Sequence, residues 1–171
     1  IGVLSPIGAD KNSYLEGLQQ GRSGANIITR FDPTLFKTKF ACELKNFNAE
    51  EFLDKKEARK IDPFAQYALV VAEQAMKDSG LDLEKVNKLK FGVIWGSGIG
   101  GFHTLETDLS EAALHSGTPR YSPFLIPKLI SDIAPGHISI KYGLMGVNYG
   151  TVSACASSSH AISNAFDYIR L

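Results

Sequence analysis

Several things are scarce in this sequence, and each scarcity removes a class of protein. Cysteine occurs only twice, at Cys42 and Cys155, far apart in the chain. The pair forms neither a C-x-x-C nor a spaced ligand set, so a disulfide framework and a cysteine-held metal are not expected. No sign of charge prevails: 18 Lys and Arg stand against 18 Asp and Glu, for a formal net charge of zero. Without a global field, nucleic acid and anionic membranes are not expected partners, and any anionic partner must be met by a local patch. No stretch approaches the roughly 18 apolar residues of a membrane helix, and the start lacks the basic segment and apolar core of a signal peptide. These absences point to the cytoplasm. There is no opening methionine, and the chain stops at Leu171 inside a helical pattern, so both ends read as cut.

What remains is ordinary globular material: 171 residues, 44% hydrophobic and 21% charged, enough for one domain over residues 1–171 with a real core. Helix and strand signals alternate, which indicates a layered α/β fold. Residues 1–4 read as the remnant of a strand, followed by a turn at Ser5-Pro6-Ile7-Gly8 and a helix over 10–20. Phe40 opens a short strand. The clearest helix starts at Asp62 as N-cap with Pro63 in the first turn, places Phe64, Ala68, Val71 and Ala75 on one face, and stops at Gly80. Strand patterns follow at 91–95 and 148–154, and helical patterns at 104–115, between Ser122 and Gly143, and from 156 onward, where Ile162, Phe166 and Ile169 share a face.

The second late strand meets Cys155 with no Gly or Pro spacer, and a helix begins at once. A helix N-terminus favours a thiolate through its free N–H groups and its dipole. The neighbours Ala154, Ala156, Ser157, Ser158 and Ser159 are small, so a bulky thioester can reach the sulfur while backbone N–H groups face a developing oxyanion. That arrangement suits acyl transfer to a thiol. Cys42 has no such setting and is read as a small core residue. The four histidines, His103, His115, His137 and His160, are read as helix-surface or core residues; His160 lies little more than one turn past Cys155.

Two further motifs stand out. Gly96-Ser97-Gly98-Ile99-Gly100-Gly101 satisfies G-x-G-x-x-G between a strand and a helix, but a dinucleotide fold needs a second strand ending in an acid roughly 20 residues on. That position holds Thr118-Pro119-Arg120-Tyr121, with no strand before it and no acid. Lys56, Arg59 and Lys60 lie at spacings of three and four, which on a helix share one face. By itself such a run is solvated surface.

The stretch from Gly146 through Cys155 to Ile162 resembles the active-site segment of β-ketoacyl synthases. Ser5-Pro6-Ile7-Gly8, Arg30-Phe31-Asp32, the segment from Lys56 to Asp62, the glycine loop, Ser122-Pro123-Phe124 and Tyr142-Gly143 resemble that family's landmarks in its order, most closely the synthase II type. The resemblance implies the N-terminal half of a thiolase-like αβαβα layered fold, with a mixed, mainly parallel five-stranded sheet. It implies a homodimer that elongates acyl chains on acyl carrier protein. On that resemblance Cys155 would take the acyl group, and malonyl-carrier protein would then lose carbon dioxide to give a carbanion that attacks the thioester. The two histidines and the lysine that assist this step in the family match nothing here, so the chain alone is expected to be inactive.

The resemblance also assigns Ile99 as an acyl-chain gate and Phe124 and Leu125 as residues lining the partner subunit's acyl pocket, with Leu125 standing where Phe is common. Lys56, Arg59, Lys60 and Arg120 become docking residues for the acidic carrier protein, and Tyr121 replaces a basic residue there. No cofactor and no metal are expected. The rival readings are a carrier-binding or chain-length-controlling partner without catalysis, a nucleotide-binding domain, and a folded but inactive remnant.

Overall fold

The computed structural model describes residues 1–45, 47–115, 117–118 and 120–171. It divides into two compact units, Ile1–Asn48 with Val70–Gly80, and Ala49–Leu69 with Leu81–Leu171.

The first unit holds helix α1 (Lys11–Gln19), strands β1 (Ala25–Ile27) and β2 (Phe40–Cys42), and the second part of helix α3 (Pro63–Ser79). Asp10 starts α1 with a capping box: its carboxylate accepts from the Asn12 and Ser13 N–H groups while the Ser13 hydroxyl receives the Asp10 N–H. The turn at Ser5 to Gly8 forms as expected, closed by two backbone hydrogen bonds of 2.9 and 3.2 Å. Residues 1–4 do not join a ladder. Instead the Val3 N–H donates to Gln74 Oε1 at 2.8 Å, and Gln74 Nε2 donates to the Ala9 carbonyl at 2.8 Å, so one α3 side chain supplies the partners a strand would have supplied. β1 and β2 pair antiparallel, Ala25 opposite Cys42. Cys42 is exposed, which corrects its reading as a core residue: in this short ladder Ala41 is half-covered and its two neighbours face solvent.

The second unit contains helix α2 (Lys55–Ala58), the start of α3, strand β3 (Val93–Gly96), helices α4 (Phe102–Leu114), α5 (Leu125–Leu129) and α6 (Ile133–Tyr142), strand β4 (Asn148–Thr151) and helix α7 (Ser157–Arg170). β3 and β4 run parallel with Trp95 opposite Gly150 and Gly96 opposite Thr151. Side chains alternate along a strand, so 148 and 150 face one side and 149, 151 and 96 the other. On the first side Asn148 Nδ2 bonds to the Pro135 carbonyl, and Gly150 lies against Asp132 at the start of α6. On the second, Tyr149 meets Tyr168 with ring centres 6.4 Å apart, and Thr151 Oγ1 donates to the Ser157 carbonyl at 2.8 Å. Helices α6 and α7 therefore cover opposite faces of the pair, a three-layer arrangement.

The layered α/β class is as expected, but the strand count is not. Among the described residues the strands form two separate two-stranded sheets rather than one of five, because residues 1–4 bond to a side chain and β1 pairs only with β2. The core mixes alanines with branched aliphatic residues: Ala65, Ala68 and Ala134 are fully buried, with Val70, Ile138, Leu144 and Ala161 nearly so. Asp62 caps α3 as expected, its Oδ1 accepting the Phe64 N–H at 3.1 Å. The buried face of α3 only partly follows the expected stripe: Ala68 is inside as expected, but Ala65, Leu69 and Val70 are buried with it while Phe64, Val71 and Ala75 are only half-covered. On α7 the apolar face is outermost: Ile162, Phe166 and Ile169 are 72%, 56% and 86% exposed, and the small Ser157 and Ala161 lie inside.

Candidate active site

Cys155 lies on a single 3-10 turn, Ala154–Ala156, between β4 and α7, and it is exposed. The corner that delivers it has an unusual backbone: Ala154 has φ +49°, alone among the described non-glycine residues in being positive. An L-residue there costs about 1 kcal/mol or more, so the corner needs support from its surroundings. Ser157, 3% exposed, supplies part of it: its hydroxyl accepts the Ser153 N–H at 2.9 Å and donates to the Ala154 carbonyl at 2.8 Å. The Ala156 N–H closes on the Ser153 carbonyl at 3.0 Å. On the outer side Ser153 Oγ and His160 Nδ1 are 2.6 Å apart. No described residue accepts the Cys155 N–H, which stays available beside its own thiol.

Gly96 explains why the helix can begin so abruptly. A Cβ placed there would sit 2.5 Å from both the Ser157 carbonyl carbon and the Ser158 nitrogen, so only glycine lets the first turn of α7 rest on the end of β3. The following loop carries Gly100 at φ +95°, where a Cβ would stand 2.4 Å from the Leu129 carbonyl oxygen. At Gly101, too, a Cβ would meet the α5 backbone, 2.1 Å from the Lys128 carbonyl oxygen. After α4 the described residues 117, 118, 120 and 121 form no strand, and Pro119 lies outside the described residues. The glycine pattern serves backbone packing here.

The other expected site residues are spread along this unit. Ile99 is 67% exposed in the loop between β3 and α4, and its carbonyl accepts from Ser131 Oγ at 3.0 Å. Phe124, 44% exposed, precedes α5, and Leu125 is its half-covered first residue. Lys56 is on α2, but that helix ends at Ala58, so Arg59 is its C-cap and Lys60 lies beyond it. All three are exposed; Lys60 pairs with Glu57 at 2.9 Å, while Lys56 and Arg59 make no ion pair among the described residues. Arg120 is exposed in the segment between α4 and α5. A cleft of about 380 Å³ opens not at Cys155 but beside Arg59, lined also by His103, Thr104, Asp108 and Lys128. Among the described residues no three His, Cys, Asp or Glu side chains are grouped to hold a metal, and no helix is long and apolar enough to cross a membrane.

Comparison with known proteins identifies the lineage. The profile of the β-ketoacyl synthase N-terminal domain matches residues 1–171. The chain belongs to the β-ketoacyl synthase family. It is 44% identical over 170 residues to 3-oxoacyl-(acyl-carrier-protein) synthase 2 of Staphylococcus aureus, a match covering 99% of this chain and 42% of that protein. Among solved structures, the ishigamide ketosynthase/chain length factor superposes with a TM-score of 0.89 at 27% identity, covering 99% of this chain and 42% of that one. A type II polyketide ketosynthase in complex with its acyl carrier protein shares the fold, with a TM-score of 0.82 at 22% identity over 99% and 44% of the two chains. The chain thus spans less than half the length of these relatives. The β-ketoacyl synthase fold accounts for the parallel pair and its flanking helices.

The supporting bonds of Ser153, Ser157 and His160 were not foreseen from the sequence, where Ser157 counted only as a small neighbour of Cys155 and His160 only as a residue little more than one turn beyond it. A further hint was spacing, since residues 157 and 160 lie three apart at the start of the helix that follows Cys155.

Proposed function

We propose that the protein carrying this chain is a β-ketoacyl-acyl-carrier-protein synthase of fatty acid elongation, with Cys155 as its acyl acceptor. The observation that carries this reading is the junction itself, an exposed thiol together with an N–H that no described residue accepts, on the turn that leads into α7. The Cys155 thiolate attacks the acyl carrier thioester, the Cys155 N–H receives the developing oxyanion, and the carrier thiolate leaves. Malonyl-carrier protein then releases carbon dioxide. The resulting carbanion attacks the Cys155 thioester, expels the thiolate, and leaves a β-ketoacyl chain two carbons longer on the carrier. Decarboxylation calls for groups outside this chain.

Lys56, Arg59, Lys60 and Arg120 dock the acidic carrier protein, with Lys56 and Arg59 the more available cations because Lys60 is paired. The ketosynthase solved with its acyl carrier protein has this fold, which supports the same class of partner. Ile99 gates the acyl chain, Phe124 and Leu125 line the partner's pocket in a homodimer, and the domain extends over residues 1–171. In the full-length protein Cys155→Ala abolishes acyl-enzyme formation by mass spectrometry, whereas a non-catalytic chain-length partner loses nothing. Lys56→Glu with Arg59→Glu raises KM for acyl-carrier protein and spares acyl-coenzyme A donors; equal losses with both donors remove the docking role. Ile99→Phe restricts turnover to short primers, and unchanged use of long ones removes the gate.

A further inference from the structure

The Ala154 corner has two supports, and they are unlike. The inner one is the buried Ser157 hydroxyl, which fixes the Ser153 N–H and the Ala154 carbonyl. It leaves the Ser153 side chain unengaged. The outer one is the 2.6 Å contact between Ser153 Oγ and His160 Nδ1. It runs from the last residue before the corner to the second turn of α7, and so closes a ring of chain that contains Cys155. With Ser157 alone, the corner is held from the buried side only.

We propose that His160 is a positioning residue for Cys155, holding the Ala154 corner through Ser153 so that the Cys155 N–H and thiol stay presented together. This rests on the reading of Cys155 as the acyl acceptor. The ring needs no particular tautomer: Nδ1 either accepts the Ser153 hydroxyl proton or donates its own to the hydroxyl oxygen, because the hydroxyl can turn. A group of the same reach that both accepts and donates can therefore replace it. Asparagine is such a group, its amide standing as many bonds from Cα as Nδ1 does. Leucine has the same reach without the polarity.

The test is the rate of iodoacetamide reaction at Cys155 in the full-length protein, followed by peptide mass spectrometry. Cys42, also exposed, is the reference thiol in the same molecule. His160→Leu and Ser153→Ala are each expected to slow Cys155 about tenfold, the ratio one ordinary hydrogen bond commands, with Cys42 unchanged. The double variant is expected to be no slower than either single one, since both remove the same bond. His160→Asn is expected to recover the wild-type rate to within about twofold. A wild-type rate in His160→Leu, additive losses in the double variant, or an Asn variant as slow as the Leu variant overturns the proposal while leaving the nucleophile in place. A wild-type Cys155 that reacts no faster than Cys42 overturns the nucleophile reading and the positioning role with it.

Discussion

The two compact units handle polar groups in opposite ways. In the first, the carboxylates that titrate low are on the surface: the Ser13 N–H and hydroxyl hold Asp10 below its ordinary value, and the Thr34 hydroxyl and N–H do the same for Asp32. Asp78 is brought down to about 2, chiefly by hydrogen bonding to Lys11. In the second, the decisive carboxylate is inside. Asp62 is 3% exposed, and its Oδ2 accepts both the Thr104 N–H at 2.9 Å and the Thr104 hydroxyl at 2.7 Å while its Oδ1 caps α3. One buried side chain thus starts two helices, α3 and α4. Solvent replaces a lost surface bond, but nothing replaces a buried one, so the same chemical change should weigh very differently in the two units.

The largest effect should come from Asp62→Ala, which leaves two Thr104 donors and the Phe64 N–H unpaired. A loss of about 4 kcal/mol in urea unfolding is expected; a loss like that of an exposed cap would erase the contrast between the units. Gly96→Ala should follow, costing about 3 kcal/mol because its methyl group meets the α7 backbone. That change should also depress Cys155 alkylation, and an unaltered alkylation rate would show that α7 can slide without disturbing the corner.

A pH-limited effect comes next. Burial lowers the His137 pKa from its ordinary 6.5, against an opposing pull from Glu57. The unfolded chain then binds the proton more readily than the folded one. The stabilisation is fully present above about 6.5 and is lost as pH falls through the lower folded value. His137→Gln should flatten that part of the stability curve, measured as urea midpoints from pH 7.5 to 5. The smallest effect belongs to the first unit: Lys11→Gln should move the Asp78 titration, followed by NMR, from about 2 toward 3.8 while leaving the thermal midpoint within error.

The same contrast divides what the sequence disclosed from what it concealed. The limits of α3 were legible because Asp62, Pro63 and Gly80 act on their immediate neighbours. The abrupt approach to Cys155 was legible for a similar reason, since its small flanking residues are local. Hidden were the bonds that depend on distant chain. Nothing near Asp62 announces Thr104, and nothing in residues 1–4 says that Gln74 will take the place of a strand. On α7 the period located an apolar face correctly, but period alone does not say which face is covered, and the small Ser157 and Ala161 take the inside. Cys42 was misread because a two-stranded ladder leaves residues open that a larger sheet would bury.

The shared carboxylate also bears on how the chain breathes. The third residue of a helix ordinarily has no backbone acceptor, so its amide exchanges with solvent deuterium almost as fast as in a loop. Thr104 holds that place in α4, yet its acceptor is buried and belongs to the start of another helix. Its amide can exchange only when the two helix starts separate. A single slow proton in the first turn of α4 therefore times an opening that reaches from the segment next to the basic residues to the loop that carries Ile99.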